Sequence, residues 1–322
     1  MKAVVRTRYW RLLLFVAAGV GLLILPDLLT RDLVTALFFT FTFITLALNY
    51  DLLGGFLGYL NLGQGTFFGL GAYVTFILTK ELPGVAETLG VPGLAGLVIV
   101  AIAIVVLFAF LVAFPLFRLR GAYFAMASFG LFLLIRQLIL NLEKLTGGAS
   151  GIYLPPGYFL GQRVAYTLML GLALASLATN FYISRTRLGI AFQAIRESER
   201  AAGAIGVDPF MHKQLALLIS AAPSALAGAL FGLHFGYVDL ESVLGADKTL
   251  FPVIMAMLGG TGLVWGPVVG AALIRVIDVG LKNYFILPVP ALGIYGLILM
   301  IIGLFRPEGI LAGLARRPKA GS

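Results

Sequence analysis

Hydrophobic stretches long enough to cross a lipid bilayer recur along the whole chain. A helix needs about 20 mostly apolar residues to span the hydrocarbon layer. Of the 322 residues, 60% are hydrophobic and only 11% are charged, whereas soluble domains carry about 25% charged residues. We therefore expect an all-α, polytopic membrane helical bundle of about ten segments, some short or broken, in one domain over residues 1–322. The predicted segments are 12–30, 33–50, 56–79, 94–117, 121–141, 164–183, 214–238, 249–259, 263–282 and 285–305.

Basic residues predict the orientation of this bundle, because Lys and Arg are enriched in cytoplasmic loops. With alternate loops assigned to the cytoplasm, residues 1–11, 118–120, 184–213 and 306–322 hold four, two, five and four of the 23 Lys and Arg residues. Both termini and the loop at 184–213 are therefore expected in the cytoplasm. The segment 249–259 is short for a regular span, so it either spans as a broken helix or re-enters.

Two glycine-dense passages, at 57–74 and 258–273, contain small residues four apart. This spacing lets two membrane helices touch backbone to backbone. It also permits unwound backbone beside a translocation path, for which Asn61, Gln64 and Thr66 are candidate lining residues. Tight helix packing is the alternative interpretation of both passages. The glycines with this spacing are Gly65 and Gly69, and Gly262, Gly266 and Gly270.

The segment 184–207 interrupts the apolar chain with a charged, amphipathic pattern, and a single helix over 188–207 is predicted. A solvated connector, a helix in the lipid interface and a docking element for a soluble partner are the three interpretations. Glu199 interrupts the apolar arc and favours docking. The arc holds Leu188, Phe192, Ile195, Ala202 and Ile205, and the other side holds Gln193, Arg196, Glu197 and Arg200.

The sequence offers little for catalysis or for cofactor binding. It has no phosphate-binding Gly-x-x-x-x-Gly-Lys-Ser/Thr motif, no cysteine and only two histidines, His212 and His234, without metal-ligand spacing. The net charge of +9 lies in short loops, so nucleic-acid binding is not expected. We expect a non-enzymatic protein with no cofactor and no metal, whose ATP hydrolysis, if any, occurs in another subunit.

Few ionisable residues fall inside the predicted spans. Arg275 and Asp278 lie three residues apart on one helix, which favours a structural pair. Arg136 has no obvious local partner and lies near the end of its span. An ion-coupled carrier normally needs an ionisable group on its path, so the pattern favours a passive gate driven from outside, although an uncoupled channel would look similar.

Glu199, Ala201, Ala202 and Gly206 resemble the glutamate-alanine-alanine-glycine loop of ABC importer permeases. The surrounding RLGIAFQAIRESERAAGAIGV is similar to that loop in the branched-chain amino acid importer permeases, LivM branch. The resemblance implies that Arg196 and these four residues contact an ATPase subunit. Further motifs that resemble this family, in its order, are NYDLLGGFLGYLNLGQGTFFGLGAYV at 49–74, RLRGAYFAMASFG at 118–130, LTGGASGI at 145–152, LGGTGLVWGPVVGAAL at 258–273 and LFRPEGILAG at 304–313.

The resemblance implies a permease subunit in the prokaryotic plasma (inner) membrane that imports branched-chain or other hydrophobic amino acids. Its implied partners are a second homologous permease, two ATP-binding subunits and an extracytoplasmic substrate-binding protein. Many relatives have serine or histidine near Asn61 and Thr66, so the substrate stays open. A urea or short-amide importer and a stand-alone secondary carrier or channel are the alternatives, and an intramembrane enzyme is a distant third.

Overall fold

The structure is a computed structural model that describes residues 22, 26–154, 157–284 and 309–311. The predicted segment at 285–305 and both chain ends lie outside these residues, as does most of the segment at 12–30.

The described chain is built almost entirely of helices, as its apolar runs predict. The helix Arg31–Asp51 continues into a π-helical turn at Leu52–Phe56, and a short 3-10 turn covers Gly148–Ser150. Two strands, β1 (Ile152–Tyr153) and β2 (Tyr237–Val238), form a small antiparallel sheet that the all-α prediction did not include. The helices are α1 (Arg31–Asp51), α2 (Gln64–Glu81), α3 (Pro83–Leu89), α4 (Val91–Leu116), α5 (Ala122–Asn141), α6 (Glu143–Thr146), α7 (Gln162–Ser184), α8 (Arg187–Glu197), α9 (Glu199–Ala204), α10 (Pro209–Phe235), α11 (Leu240–Leu244), α12 (Asp247–Gly259) and α13 (Gly266–Tyr284).

Within the described residues, six helical stretches are long and apolar enough to cross a membrane. The polytopic helical bundle is therefore confirmed, while the count of ten segments and the cytoplasmic termini stay predictions. On α4, large apolar side chains such as Ile99 and Leu107 face outward, as expected for a surface in contact with lipid. The six stretches are Arg31–Phe56, Val91–Leu116, Ala122–Asn141, Gln162–Ser184, Pro209–Phe235 and Leu240–Gly259.

The bundle has two ends, which we name by what they carry. The sheet end holds the β1–β2 pair, where Ile152 lies opposite Val238. There Arg136 donates to the Leu244 carbonyl oxygen at 3.0 Å and to Glu241 at 2.9 Å, so it has the partners that the local sequence did not reveal. The coupling end holds α8 and α9, together with the first turns of α5 and α10.

Two sequence predictions about helix boundaries were wrong. The predicted segment at 56–79 begins as a helix only at Gln64, because residues 57–63 are unwound, with Gly58 at φ +74° and the Asn61 side chain accepting from the Gly63 N–H at 3.0 Å. The predicted single helix over 188–207 is two helices, α8 and α9. Ser198, which separates them, has an extended backbone at φ −162° and ψ 114°.

Glycines bring α2 and α10 into backbone contact at the centre of the bundle. A Cβ on Gly71 would overlap the carbonyl oxygen of Ala225, and a Cβ on Gly228 would overlap that of Phe68. Around this crossing the rings of Phe68 and Phe231 meet edge to face at 5.5 Å. Close approach of this kind replaces the hydrophobic driving force that a bilayer cannot supply between helices.

Two buried cations of the bundle, Arg275 and Lys248, have acidic partners. Arg275 and Asp278 form the ion pair predicted from their spacing, and the Arg275 guanidinium carbon lies 5.5 Å from the Phe39 ring centroid and 5.7 Å from that of Phe43. Lys248 pairs with the adjacent Asp247. Pairing lowers the cost of removing such charges from water, which supports the structural interpretation of the pair on α13.

We predict that Gly228→Ala destabilises the bundle, because its methyl group has to push α2 and α10 apart. Overpacking of this kind costs about 1–3 kcal/mol. Thermal unfolding in detergent, followed by size-exclusion chromatography, should show a lower midpoint. Gly171→Ala on α7 is the control, since a Cβ there meets nothing within 4 Å. Equal midpoints for the two variants would contradict the close crossing of α2 and α10.

Candidate functional site

The charged segment between α7 and α10 folds as two helices that pack at the coupling end. On α8, Phe192 and Ile195 are buried, and on α9 Ala202 is buried. Between the helices, the Ser198 hydroxyl oxygen accepts from the Ala201 N–H at 3.3 Å. This N-cap supplies one of the acceptors that the first turn of a helix lacks, so the break at Ser198 begins a new short helix.

The outer face of α9 is exposed and made of small or apolar residues. Ile205, which a continuous helix would place beside the buried residues, is 75% exposed because α9 ends at Ala204. Gly206 has φ +86°, a left-handed conformation that glycine adopts without strain. The exposed residues of this face, which we call the α9 face, are Ala201, Gly203, Ala204, Ile205 and Gly206.

Glu199 points inward from α9 and binds three side chains. Its carboxylate lies 3.2 Å from Lys213 Nζ on α10 and 3.1 Å from the Arg120 guanidinium, and it accepts a hydrogen bond from the Tyr59 hydroxyl. The Glu199 side chain is 13% exposed and that of Lys213 is 3% exposed. The Lys213 ammonium also lies 4.7 Å from the Tyr59 ring centroid. These contacts fasten α9 to α10 and to the unwound residues after α1.

The surroundings of Glu199 keep it ionised. Desolvation by burial acts to raise the pKa of its carboxyl, but hydrogen bonds from Tyr59 and Lys213 and the charges of Lys213 and Arg120 outweigh burial and lower the pKa below its ordinary value of 4.5. Burial, together with the bond to Glu199 and its charge, raises the pKa of Tyr59, so the phenol remains the donor. At neutral pH this cluster is therefore an intact ion pair with a neutral bridging phenol.

Arg196 fastens the end of α8 to the π-helical turn. Its Nη1 donates to the carbonyl oxygen of Gly55 at 2.5 Å, and its side-chain stem runs past Gly58, where a Cβ would lie 3.1 Å from Arg196 Cγ. A cleft of about 350 Å³, lined in part by Tyr59, Arg120 and Arg196, lies between this attachment and that of Glu199.

Asn61 and Gln64, the predicted lining residues, lie in a buried polar cluster between helices. Asn61 donates to Gln64 Oε1 at 3.1 Å, and Gln64 donates to Ser224 Oγ on α10 at 2.7 Å. Asn49 of α1 also donates to Ser224, at 3.0 Å. Thr66 is fully buried too, and its hydroxyl has no hydrogen-bond partner among the described residues. In this conformation the cluster is packed between helices α1, α2 and α10.

The predicted glycines occupy close helix contacts. The Gly65 N–H donates to Thr249 Oγ1 on α12 at 2.9 Å, and a Cβ on Gly69 would overlap the Leu244 side chain. At the turn between α12 and α13, a Cβ on Gly266 would overlap the carbonyl oxygen of Gly260. The Gly262 N–H donates to the Asp51 carboxylate at 2.9 and 3.2 Å.

Sequence reasoning missed three residues of the site, Tyr59, Lys213 and Asp51. Tyr59 and Lys213 bind Glu199, and Asp51 binds the Gly262 N–H. Lys213 stands 14 residues beyond Glu199 on another helix, so no periodic pattern links them. Asp51 is a lone carboxylate at the end of an apolar run, which is a signal that the sequence did offer. Within the part of the chain that the structure describes, no group of three or more acidic or histidine residues could hold a metal ion.

The geometry defines a polytopic helical membrane protein with a charged segment braced at one end, and known proteins identify its family. A family model described as the permease component of branched-chain amino acid transport systems matches residues 33–304. The permease protein LivM of the high-affinity branched-chain amino acid transport system of Salmonella typhimurium is 32% identical over 316 residues, which cover 89% of this chain and 71% of the relative.

Two further relatives agree with this match. LivM of Escherichia coli is 31% identical over 316 residues, with 89% of this chain and 71% of the relative covered. LivH of Escherichia coli, also a permease protein of a high-affinity branched-chain amino acid transport system, is 24% identical over 288 residues, with 84% of this chain and 91% of the relative covered. No solved structure matches significantly.

The chain belongs to the family of branched-chain amino acid transport system permease components. It is a multi-pass protein of the prokaryotic plasma (inner) membrane, with the role of a permease in an ABC transporter. Its relatives are transport permeases and not enzymes, so its role is transport. As a permease component, it belongs to a transport system that contains other subunits.

We predict that Glu199→Gln loosens α9, because the buried Lys213 ammonium loses its counter-charge. Removing one partner of a buried pair leaves an uncompensated charge, so amide hydrogen exchange in residues 199–206 should speed up about tenfold, which corresponds to about 1.4 kcal/mol. Glu197→Gln is the matched control, since Glu197 is exposed. The double variant Glu199→Gln, Lys213→Met should exchange more slowly than Glu199→Gln. Identical exchange in the Glu199 and Glu197 variants would contradict the brace.

The pH dependence of this brace follows from the lowered pKa of Glu199. A carboxyl whose pKa is lower in the folded protein contributes stability above its unfolded value, and that stability is lost as pH falls through the folded value. After correction for the intrinsic pH dependence of exchange, protection of residues 199–206 should stay constant between pH 6 and 8. A loss of protection within that range would show that another group controls the segment.

Proposed function

We propose that the chain is the translocation subunit of an ATP-driven importer for branched-chain or other hydrophobic amino acids. Its relatives are permease proteins of high-affinity branched-chain amino acid transport systems. We propose as partners a second homologous permease, two ATP-binding subunits and an extracytoplasmic substrate-binding protein. Residues 1–322 would form one permease domain of about ten segments, with both termini and the loop at 184–213 in the cytoplasm.

The observation that carries this proposal is the α9 face. It presents small residues outward at a place where the inner side of the segment is fastened to two membrane helices. An ATPase groove can approach Ala201 and Gly206 closely because neither has a long side chain, as in helix-in-groove recognition. Ala202 and Glu199 support the contact from behind, since their side chains hold the segment against the bundle.

The proposed transport cycle moves this segment when the ATPases close on nucleotide. Rigid helices joined by close glycine contacts transmit such a movement as alternation between outward and inward openings. The buried cluster around Asn61 and Gln64 lies at the centre of the bundle and supplies polar groups for the ammonium and carboxylate of an amino acid. Thr66, with its buried hydroxyl unpartnered among the described residues, is available to bind substrate when the path opens.

A stand-alone secondary carrier is the second candidate, and one observation favours it. Asp51 is a fully buried carboxylate whose hydrogen bonds in the described structure come from a backbone N–H, and intramembrane carboxylates commonly mark proton pathways. A urea or short-amide importer is a variant of the first proposal that the same subunits would serve.

The test is uptake by the purified complex in vesicles that contain candidate ATPase subunits, the second permease and the binding protein. We expect uptake of radiolabelled leucine that requires ATP on the side of the membrane where the ATPase subunits lie. This uptake should be insensitive to ion gradients. Uptake by this chain alone, driven by a proton or sodium gradient, would overturn the proposal in favour of the carrier. ATP-driven uptake of urea with no uptake of leucine would reassign the substrate.

Docking is tested by Ala201→Trp, which places a bulky ring on the α9 face without entering the bundle. We expect co-purification of the ATPase subunits to fall at least tenfold while the amount of protein in the membrane stays normal. Ala175→Trp is the control, because Ala175 is also exposed but lies on α7. Undiminished ATPase co-purification with the Ala201 variant would refute docking at this face.

A further inference from the structure

Asp51 is the most deeply buried carboxylate in the described structure, and the proposed docking does not use it. It is the last residue of α1, its exposure is 0%, and both of its carboxylate oxygens face one backbone N–H, that of Gly262, at 2.9 and 3.2 Å. A buried carboxylate is costly unless it is hydrogen-bonded or paired. What Asp51 holds is the turn between α12 and α13.

Arg196 reaches the same place from the opposite direction. It leaves the last turn of α8 and donates to the carbonyl oxygen of Gly55 at 2.5 Å. A Cβ on Gly262 would lie 3.0 Å from Arg196 Nη1 and 3.0 Å from the Gly55 oxygen. The guanidinium therefore lies directly against the α12–α13 turn.

These groups are closely packed, most of all around Gly55. A Cβ on Gly55 would overlap both the Asp51 carboxylate and the Gly262 nitrogen. Gly262 itself has φ +77°, a conformation that other residues adopt at a cost. We call the set of Asp51, Gly55, Arg196 and Gly262 the glycine junction. It joins three elements, namely α8, the π-helical turn after α1, and the α12–α13 turn.

Beyond the junction, α12 and α13 are held together along their facing sides. A Cβ on Gly259 would overlap the Gly266 carbonyl oxygen, and a Cβ on Gly270 would overlap that of Met255. The far end of α12 reaches the buried polar cluster, because Thr249 accepts from the Gly65 N–H at 2.9 Å. Thr249 therefore links α12 to the start of α2, beside Gln64.

We propose that the glycine junction transmits the movement of α8 and α9 to the α12–α13 hairpin, with Arg196 and Asp51 as positioning residues. This proposal rests on the proposed ATP-driven transport and adds a route for it. Arg196 acts on the side of α8 that faces the bundle, through Gly55 and Gly262. It contacts the bundle instead of the ATPase. The hairpin then carries the displacement to the polar cluster.

The test uses the complete reconstituted transporter and the variants Asp51→Asn, Arg196→Gln and Gly262→Ala. Three quantities are measured for each: co-purified ATPase, ATP hydrolysis rate, and leucine taken up per ATP hydrolysed. We expect ATPase binding and hydrolysis within about twofold of the unaltered protein, and uptake per ATP lower by at least tenfold. Arg196→Lys, which keeps the charge and one donor, should recover part of the loss. A purely structural role would lower the amount of folded protein and would leave uptake per ATP unchanged.

Two controls match the variants in chemistry. Arg187→Gln removes an exposed arginine at the start of the same helix, and Gly171→Ala adds a methyl group where nothing lies within 4 Å. Both should keep normal uptake per ATP. If Gly262→Ala fails to fold, the nearly isosteric Asp51→Asn and the surface-reaching Arg196→Gln still decide the question.

The outcomes separate this proposal from the proposed function. Absence of ATP-driven uptake in the unaltered complex refutes the importer and the junction together. Normal uptake per ATP in the Asp51 and Arg196 variants refutes the junction and leaves the importer intact. Loss of ATPase binding in Arg196→Gln, without an effect of Asp51→Asn, would make Arg196 a docking residue and would also refute the junction.

Discussion

Lipid offers no hydrogen-bond partner to an interrupted backbone, and this constraint governs how the bundle is built. Each break in a helix has to be filled by groups of the protein itself. At 57–63 the Asn61 side chain and Ser128 Oγ accept backbone N–H groups, and at the α12–α13 turn Asp51 does the same. Tyr59 in the first break binds Glu199, and Gly262 in the second lies beside the Arg196 guanidinium, so the places where the chain is unwound are also the places where α8 and α9 are attached.

This arrangement explains why a membrane protein with few charges concentrates several of them beside α9. Glu199 forms ion pairs with Lys213 and Arg120. Ion pairs fix the distance and direction between two groups more closely than apolar packing does. Arg196 adds a further contact, to a backbone carbonyl. A segment held by such contacts follows the helices it is bonded to, which is the property that a coupling element needs.

Much of this architecture could be predicted from the sequence, because it depends on local pattern. Apolar runs gave the helices, glycine spacing indicated close contacts, and the spacing of Arg275 and Asp278 gave their ion pair. The break at Ser198 could not be predicted from periodicity, since the apolar arc continues across it. Tyr59, Lys213 and Asp51 act through partners 140, 14 and 211 residues away in sequence, and only the folded bundle brings those partners together.

If the glycine junction transmits force, α9 and the α12–α13 turn move as one body, and the distance between them reports this movement. Because the chain contains no cysteine, spin labels can be placed at Ala204→Cys and Leu263→Cys, with a reference at Leu107→Cys on α4. Pulsed electron paramagnetic resonance would then compare the assembled transporter with and without bound nucleotide. We expect an unchanged 204–263 distance while both sites shift relative to residue 107. A shift of residue 204 that leaves residue 263 in place would contradict it.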